Sequence, residues 1–103
     1  MIIVAGHVTV SPEERETYLA GSVIIVEQAR PAEGCLDISI SADLIDPTRV
    51  NLYERWESQA ALDAFRRSGP RFEHGAMIRA VVAAEYLVAE ERPLFTQTTA
   101  SEA

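Results

Sequence analysis

An α+β domain with the element order β-α-β-β-α-β follows from three features of the 103-residue sequence. Four runs have strand character, over 2–10, 35–43, 49–56 and 79–89, each β-branched or alternating. Helical periodicity fills the gap between the first two runs and the gap between the last two. Turn signals separate the elements: Arg30-Pro31, Asp46-Pro47 and Gly69-Pro70.

The first strand, IIVAGHVTV, ends at Ser11-Pro12-Glu13-Glu14. Serine suits a helix cap, proline the first helical position, and Glu14 completes a capping box. Tyr18, Leu19, Ser22, Val23, Val26 and Ala29 then form one stripe, weakened at Gly21, which costs a helix roughly 1 kcal/mol relative to alanine. Arg30-Pro31 ends this helix, because the residue before proline avoids helical backbone. After Gly34, the strand CLDISISAD alternates Leu36, Ile38 and Ile40 with Asp37, Ser39 and Ser41. RVNLYERW follows, with Val50, Leu52, Glu54 and Trp56 on one face and Asn51, Tyr53 and Arg55 on the other. Ser58 is the expected cap of the second helix, whose stripe is Ala61, Leu62 and Phe65. A short helical segment is expected within 71–78, and RAVVAAEYLVA reads as the last strand. The expected domain is 1–92, with 93–103 a fraying tail. This is the split βαβ, or ferredoxin-like, arrangement: one four-stranded antiparallel sheet with two helices on one face.

Two helices cannot cover both sides of that sheet. Yet the first strand is apolar on both, with Ile3 and Ala5 on one face and Ile2, Val4, Val8 and Val10 on the other, and the last strand is two-sided as well. A second burial event is therefore expected, a homodimer formed through the uncovered face. Composition narrows the rest. A hydrophobic content of 48% supports a core, and a net charge of −7 argues against nucleic acid and anionic lipid as partners. Arginine supplies every Lys/Arg charge, so lysine chemistry is excluded. One cysteine, Cys35, allows no intrachain disulfide, and with His7 and His74 it makes no zinc set. Neither a signal peptide nor a membrane-spanning apolar run is recognisable, and a soluble cytoplasmic protein is expected. There is no glycine-rich phosphate loop, nucleophile elbow or catalytic triad.

Several stretches resemble one family in order: Arg30-Pro31-Ala32-Glu33-Gly34-Cys35-Leu36, Asp46-Pro47, and Leu52-Tyr53-Glu54-Arg55-Trp56-Glu57-Ser58 followed by Ala61-Leu62. The chain resembles the antibiotic biosynthesis monooxygenase family over about residues 1–89. These are small dimeric α+β barrel proteins that include quinol monooxygenases and some haem-degrading enzymes. Glu54 to Ser58 matches the family's Glu-x-Trp-x-Ser junction. The resemblance implies a pocket between sheet and helices in each subunit. It also implies oxidation of electron-rich phenols or quinols by dioxygen, without a cofactor. This sequence departs from the family in two places. Phe65 stands near the first of two histidines many members carry, and His7 lies where haem-degrading members keep an asparagine. His74 lies near their iron-binding histidine, at a spacing that does not match.

Such chemistry needs a group that deprotonates the substrate, an apolar cavity and a donor for developing negative charge. His7 is the first candidate base, if its strand face lines the cavity between sheet and helices; its other reading is a core histidine. His74, on a plausible pocket rim, is the second; its other reading is a solvated loop histidine. Asn51 and Tyr53 are candidates to orient a hydroxylated ring, or pair across strands. Trp56, Phe65 and Phe72 are candidates to wall an aromatic ligand, or are simple core. Arg71 or Arg79 could meet an oxyanion. The reading is a homodimeric monooxygenase of small phenolic or quinol substrates using dioxygen, with no metal and no cofactor. The alternatives are a non-catalytic small-molecule-binding dimer and a haem-binding or haem-degrading protein on the same fold.

Overall fold

Side chains alternate between the faces of a strand, so the even-numbered residues of the first strand must share one environment. Ile2, Val4, Val8 and Val10 are all buried, and that parity sets the architecture. The structure is a computed structural model and describes residues 1–72 and 74–95. It contains β1 (Ile2–Thr9), a 3-10 turn (Pro12–Glu14), α1 (Arg15–Ala29), β2 (Cys35–Ala42), β3 (Arg49–Trp56), α2 (Gln59–Ser68), a second 3-10 turn (Gly75–Met77) and β4 (Ala80–Leu87). The four strands form one antiparallel sheet in the order β2-β3-β1-β4, the ferredoxin-like fold expected from the pattern.

Both helices lie over the even-numbered face of β1 and β3. Towards α2 the core is Ile2, Val4, Trp56 and Leu62, with Phe65 packed against it. Towards α1 it is Val8, Val10, Tyr18 and Val50, with Leu19, Ile40 and Phe72 beside them. Register explains the two clusters: Ile2 pairs with Trp56, and Val8 with Val50, at opposite ends of β1.

The entry to α1 differs from the expected capping box. Ser11 caps no backbone N–H; its hydroxyl donates to Glu14 Oε1 (2.9 Å), and a 3-10 turn precedes the helix. The stripe on α1 is also narrower than its spacing suggested. Tyr18, Ser22 and Ala29 are buried, whereas Val23 is exposed. At the far end the Arg30 guanidinium donates twice to the Ile38 carbonyl, at 3.1 and 3.2 Å, tying the helix exit to β2. Gly34 then has φ +81°, a left-handed conformation that favours glycine, and its carbonyl accepts the Glu57 N–H (2.8 Å). Ser58 caps α2 as expected, accepting the Ala61 N–H at 3.1 Å.

β4 is an edge strand paired only with β1, and every residue of it is exposed in the single chain. Its two-sided apolar character is therefore unburied within one subunit. α2 reaches it through Arg66, whose guanidinium lies 2.9 Å from Glu85. The expected helical segment within 71–78 is the single turn Gly75–Met77. Most of the expected tail, residues 96–103, lies outside the described residues.

Candidate functional site

The two candidate bases occupy different sides of the molecule. His7 is on the odd-numbered face of β1, opposite Asn51 of β3 and Val82 of β4. Burial of Val8 and Val10 against α1 sends His7 the other way, onto the helix-free face. The condition under which it was a base, a position between sheet and helices, is not met. It shares a shallow 210 Å³ cleft with Ala5, Gly6, Val82, Ala83, Ala84 and Tyr86.

His74 is on the helix side. It follows α2 in the connection to β4 and lines an open cleft of about 380 Å³ with Ala20, Gly21, Ile24, Pro70 and Arg71. Phe72 places it. The Phe72 ring meets Tyr18 edge-on at 4.8 Å and His74 edge-on at 5.9 Å. Phe72 thus links the α1 core to the cleft, an arrangement that suits the aromatic quadrupole. Among the described residues the His74 ring makes no hydrogen bond. Arg71, exposed on the same wall, brings a cation to the cleft. Arg79 lies outside it, 3.8 Å from Glu14.

The other candidates are committed elsewhere. Trp56 is fully buried and shows no surface to a ligand. Its indole N–H donates to Glu54 Oε1 (2.9 Å) and its ring lies 5.4 Å from Phe65. The tryptophan therefore sits among charges because β3 turns a carboxylate to the same face, where it satisfies the buried indole donor. Phe65 is half-buried behind it and does not line the His74 cleft. Asn51 is held on the open face, donating to Asp43 (2.9 Å) and accepting from Arg49 Nε (2.6 Å). Tyr53 is on that face too, opposite Ala5.

Asp43 has the most strongly shifted carboxyl among the described residues. It accepts the N–H groups of Asp46 (2.8 Å) and Ile45 (3.0 Å) as well as Asn51, and these bonds hold its carboxyl down to about 2. Arg15 reinforces the same loop by donating to the Asp46 carbonyl (2.9 Å). Burial pushes the Tyr18 hydroxyl up, and burial together with the Glu54 carboxylate pushes the Cys35 thiol up. Neither group is primed for anionic chemistry. Among the described residues no three His, Cys, Asp or Glu side chains gather as a metal-binding group, and no helix is long and apolar enough to cross a membrane.

A sequence model described as antibiotic biosynthesis monooxygenase matches residues 1–90. The chain belongs to that family. The structural neighbours agree. A Nitrosomonas europaea protein named after the same family superposes with a TM-score of 0.78 at 18% identity, over 87% of this chain and all of that one. The haem degrader MhuD of Mycobacterium tuberculosis, solved with two haems in its active site, superposes at 0.64 with 13% identity, over 90% of this chain and all of that one. At such identities the likeness speaks for the fold alone. An uncharacterised Synechocystis protein is 34% identical over 62 residues, 60% of this chain, and the match spans 42% of that protein's length. Within the antibiotic biosynthesis monooxygenase fold, Ala20, Gly21, Ile24 and Pro70 are cleft residues that sequence reasoning did not pick out, and Gly21 is the one that carried a signal. It read there only as a weak point in a helix, although an unexplained mid-helix glycine is itself a signal of close approach.

Proposed function

We propose that the protein is a homodimeric monooxygenase that oxidises small phenolic or quinol substrates with dioxygen, without metal or flavin, and that His74 is its base. The observation that carries this reading is an imidazole on the wall of a cleft of about 380 Å³, beside an arginine, in a chain of this family. A phenolate gives an electron to dioxygen far more readily than the phenol does, so the role of the base is to take the phenolic proton. Ala20 and Ile24 supply an apolar wall for the ring. Arg71 is the donor for negative charge developing on oxygen. For a simple quinol the balance is quinol plus dioxygen giving hydroxyquinone plus water, and the substrate supplies all four electrons.

The dimer forms through the helix-free sheet face, where Val82 and Tyr86 are more than half exposed in one chain. His7 then belongs to the seam between subunits, which removes it from the catalytic role. Oxygen uptake with a hydroquinone tests the reading. His74→Ala is expected to lower turnover by roughly 10²–10⁴-fold, the usual cost of losing a general base. Wild-type protein that consumes no oxygen with any phenol or quinol defeats it. One observation favours the second reading, a non-catalytic binding dimer. No described residue orients His74 by a hydrogen bond, whereas catalytic bases are commonly held by a third group. Saturable quinol binding without oxygen uptake would select that reading, and a Soret band on haem titration would point to haem instead.

A further inference from the structure

Gly21 stands in the middle of α1, where glycine is the poorest helix former after proline, and no turn or positive φ requires it. Its neighbour accounts for it. A Cβ built on Gly21 would clash with His74 Cδ2 and lie 2.6 Å from Nε2 and 3.1 Å from Cγ. These are the nearest three atoms, so the Nδ1 side of the ring is turned away from the helix. Tyr18 and Gly21, three residues apart on one face of α1, together grip Phe72 and His74, two residues apart in the connection to β4. Tyr18 holds Phe72 by its ring edge, Phe72 meets His74, and the bare backbone at Gly21 receives the imidazole.

We infer that Gly21 is a positioning residue whose missing side chain seats the His74 imidazole on α1, at the wall of the cleft, with the Nδ1 side of the ring turned away from the helix. The inference deepens the proposed function, since it concerns the same histidine, but its geometry holds whether or not the protein turns over a substrate. The obstruction created by Gly21→Ala is the end of a side chain on a surface connection, which can swing away. The helix itself gains from alanine. Fold and site should therefore respond in opposite directions.

The experiment is Gly21→Ala in the full chain, read by thermal midpoint, by NMR of the His74 ring and by oxygen uptake. The midpoint is expected to hold or rise. The nuclear Overhauser effect between His74 Hδ2 and the residue-21 Hα is expected to disappear, and the His74 ring shifts to change. Turnover is expected to fall by roughly 10- to 100-fold, the scale of an ångström-level misplacement, with a smaller change in KM. In a His74→Ala background, Gly21→Ala should have no further effect on turnover. A Gly21→Ala protein whose His74 ring signals are unmoved overturns the inference, as does a full effect of Gly21→Ala in the absence of His74. If wild-type protein consumes no oxygen, the monooxygenase reading falls while the ring signals still decide the role of Gly21.

Discussion

The two faces of the sheet are built from the same four strands and differ in what covers them. On the helix side Ile2, Val4, Val8, Ile38, Val50 and Trp56 are buried within one subunit. On the other side Ile3, Ala5, His7 and Tyr53 are only half-covered, while Val82 and Tyr86 are 61% and 53% exposed. The charges divide in the same way. Glu54 faces the helices and is occupied by the Trp56 indole, whereas Arg55 faces outward, its guanidinium donating to Glu91 at 3.2 Å while its buried Nε has no partner among the described residues. One face is a finished core. The other has the composition of a core and, among the described residues, an unsatisfied donor, and both features support the proposed dimer face.

The largest effect is expected where the finished face is opened. Trp56→Ala should cost about 3–5 kcal/mol, the range for deleting a large buried aromatic, and strand the Glu54 carboxylate without its donor. Chemical denaturation measures it, and a loss below 1 kcal/mol would mean the helix face is less closed than its burial indicates. The open face should respond in assembly rather than in folding. Val82→Asp, which puts a charge at the centre of the proposed seam, is expected to weaken dimerisation by roughly 100-fold or more while leaving the monomer folded. Sedimentation equilibrium decides: an unaltered dimer would move the interface elsewhere. His7→Gln on the same face should leave oxygen uptake unchanged, and a large loss would return the base to β1.

Smaller effects sharpen the contrast. Ser58→Ala removes the cap that starts α2 over the Trp56–Leu62 cluster and should cost about 1 kcal/mol, read as a lower denaturation midpoint with no change in association. The smallest concerns acid. The Asp43 carboxyl is held at about 2, against 3.8 for an unperturbed aspartate. A depressed folded-state value means that the stabilisation is fully present above 3.8 and is lost as pH falls through about 2. Asp43→Ala should therefore lower stability at neutral pH slightly and flatten its decline across that acid window. A decline as steep as wild type would assign the acid sensitivity to other carboxylates.

Local signals located most of the fold and little of the site. Ser58 announced the α2 cap because capping is a contact within three residues. The opposition of Glu54 and Arg55 was legible because strand alternation is a backbone property. The Ser11 capping box failed because a 3-10 turn intervened and the Ser11 hydroxyl donates to the Glu14 carboxylate instead of accepting a backbone N–H. Asn51 could not be recognised as the prop of the Asp43 loop, since that contact spans the β2–β3 hairpin. Trp56 was legible as a junction residue, but its complete burial depended on α2 folding back over it.

By itself, the sequence determined the order of elements, the period of each and the existence of two apolar faces, because these follow from backbone geometry and the cost of exposing apolar surface. It could not say which face receives the helices. A strand apolar on both sides is consistent with either choice, and a change of face moves every side chain of the strand together. Only the tertiary structure placed Val8 and Val10 against α1, sent His7 to the open face and brought residue 74 onto residue 21. That last contact joins positions with no local coupling, and it exists because both helices lie over one face of the sheet and the connection from α2 to β4 passes α1.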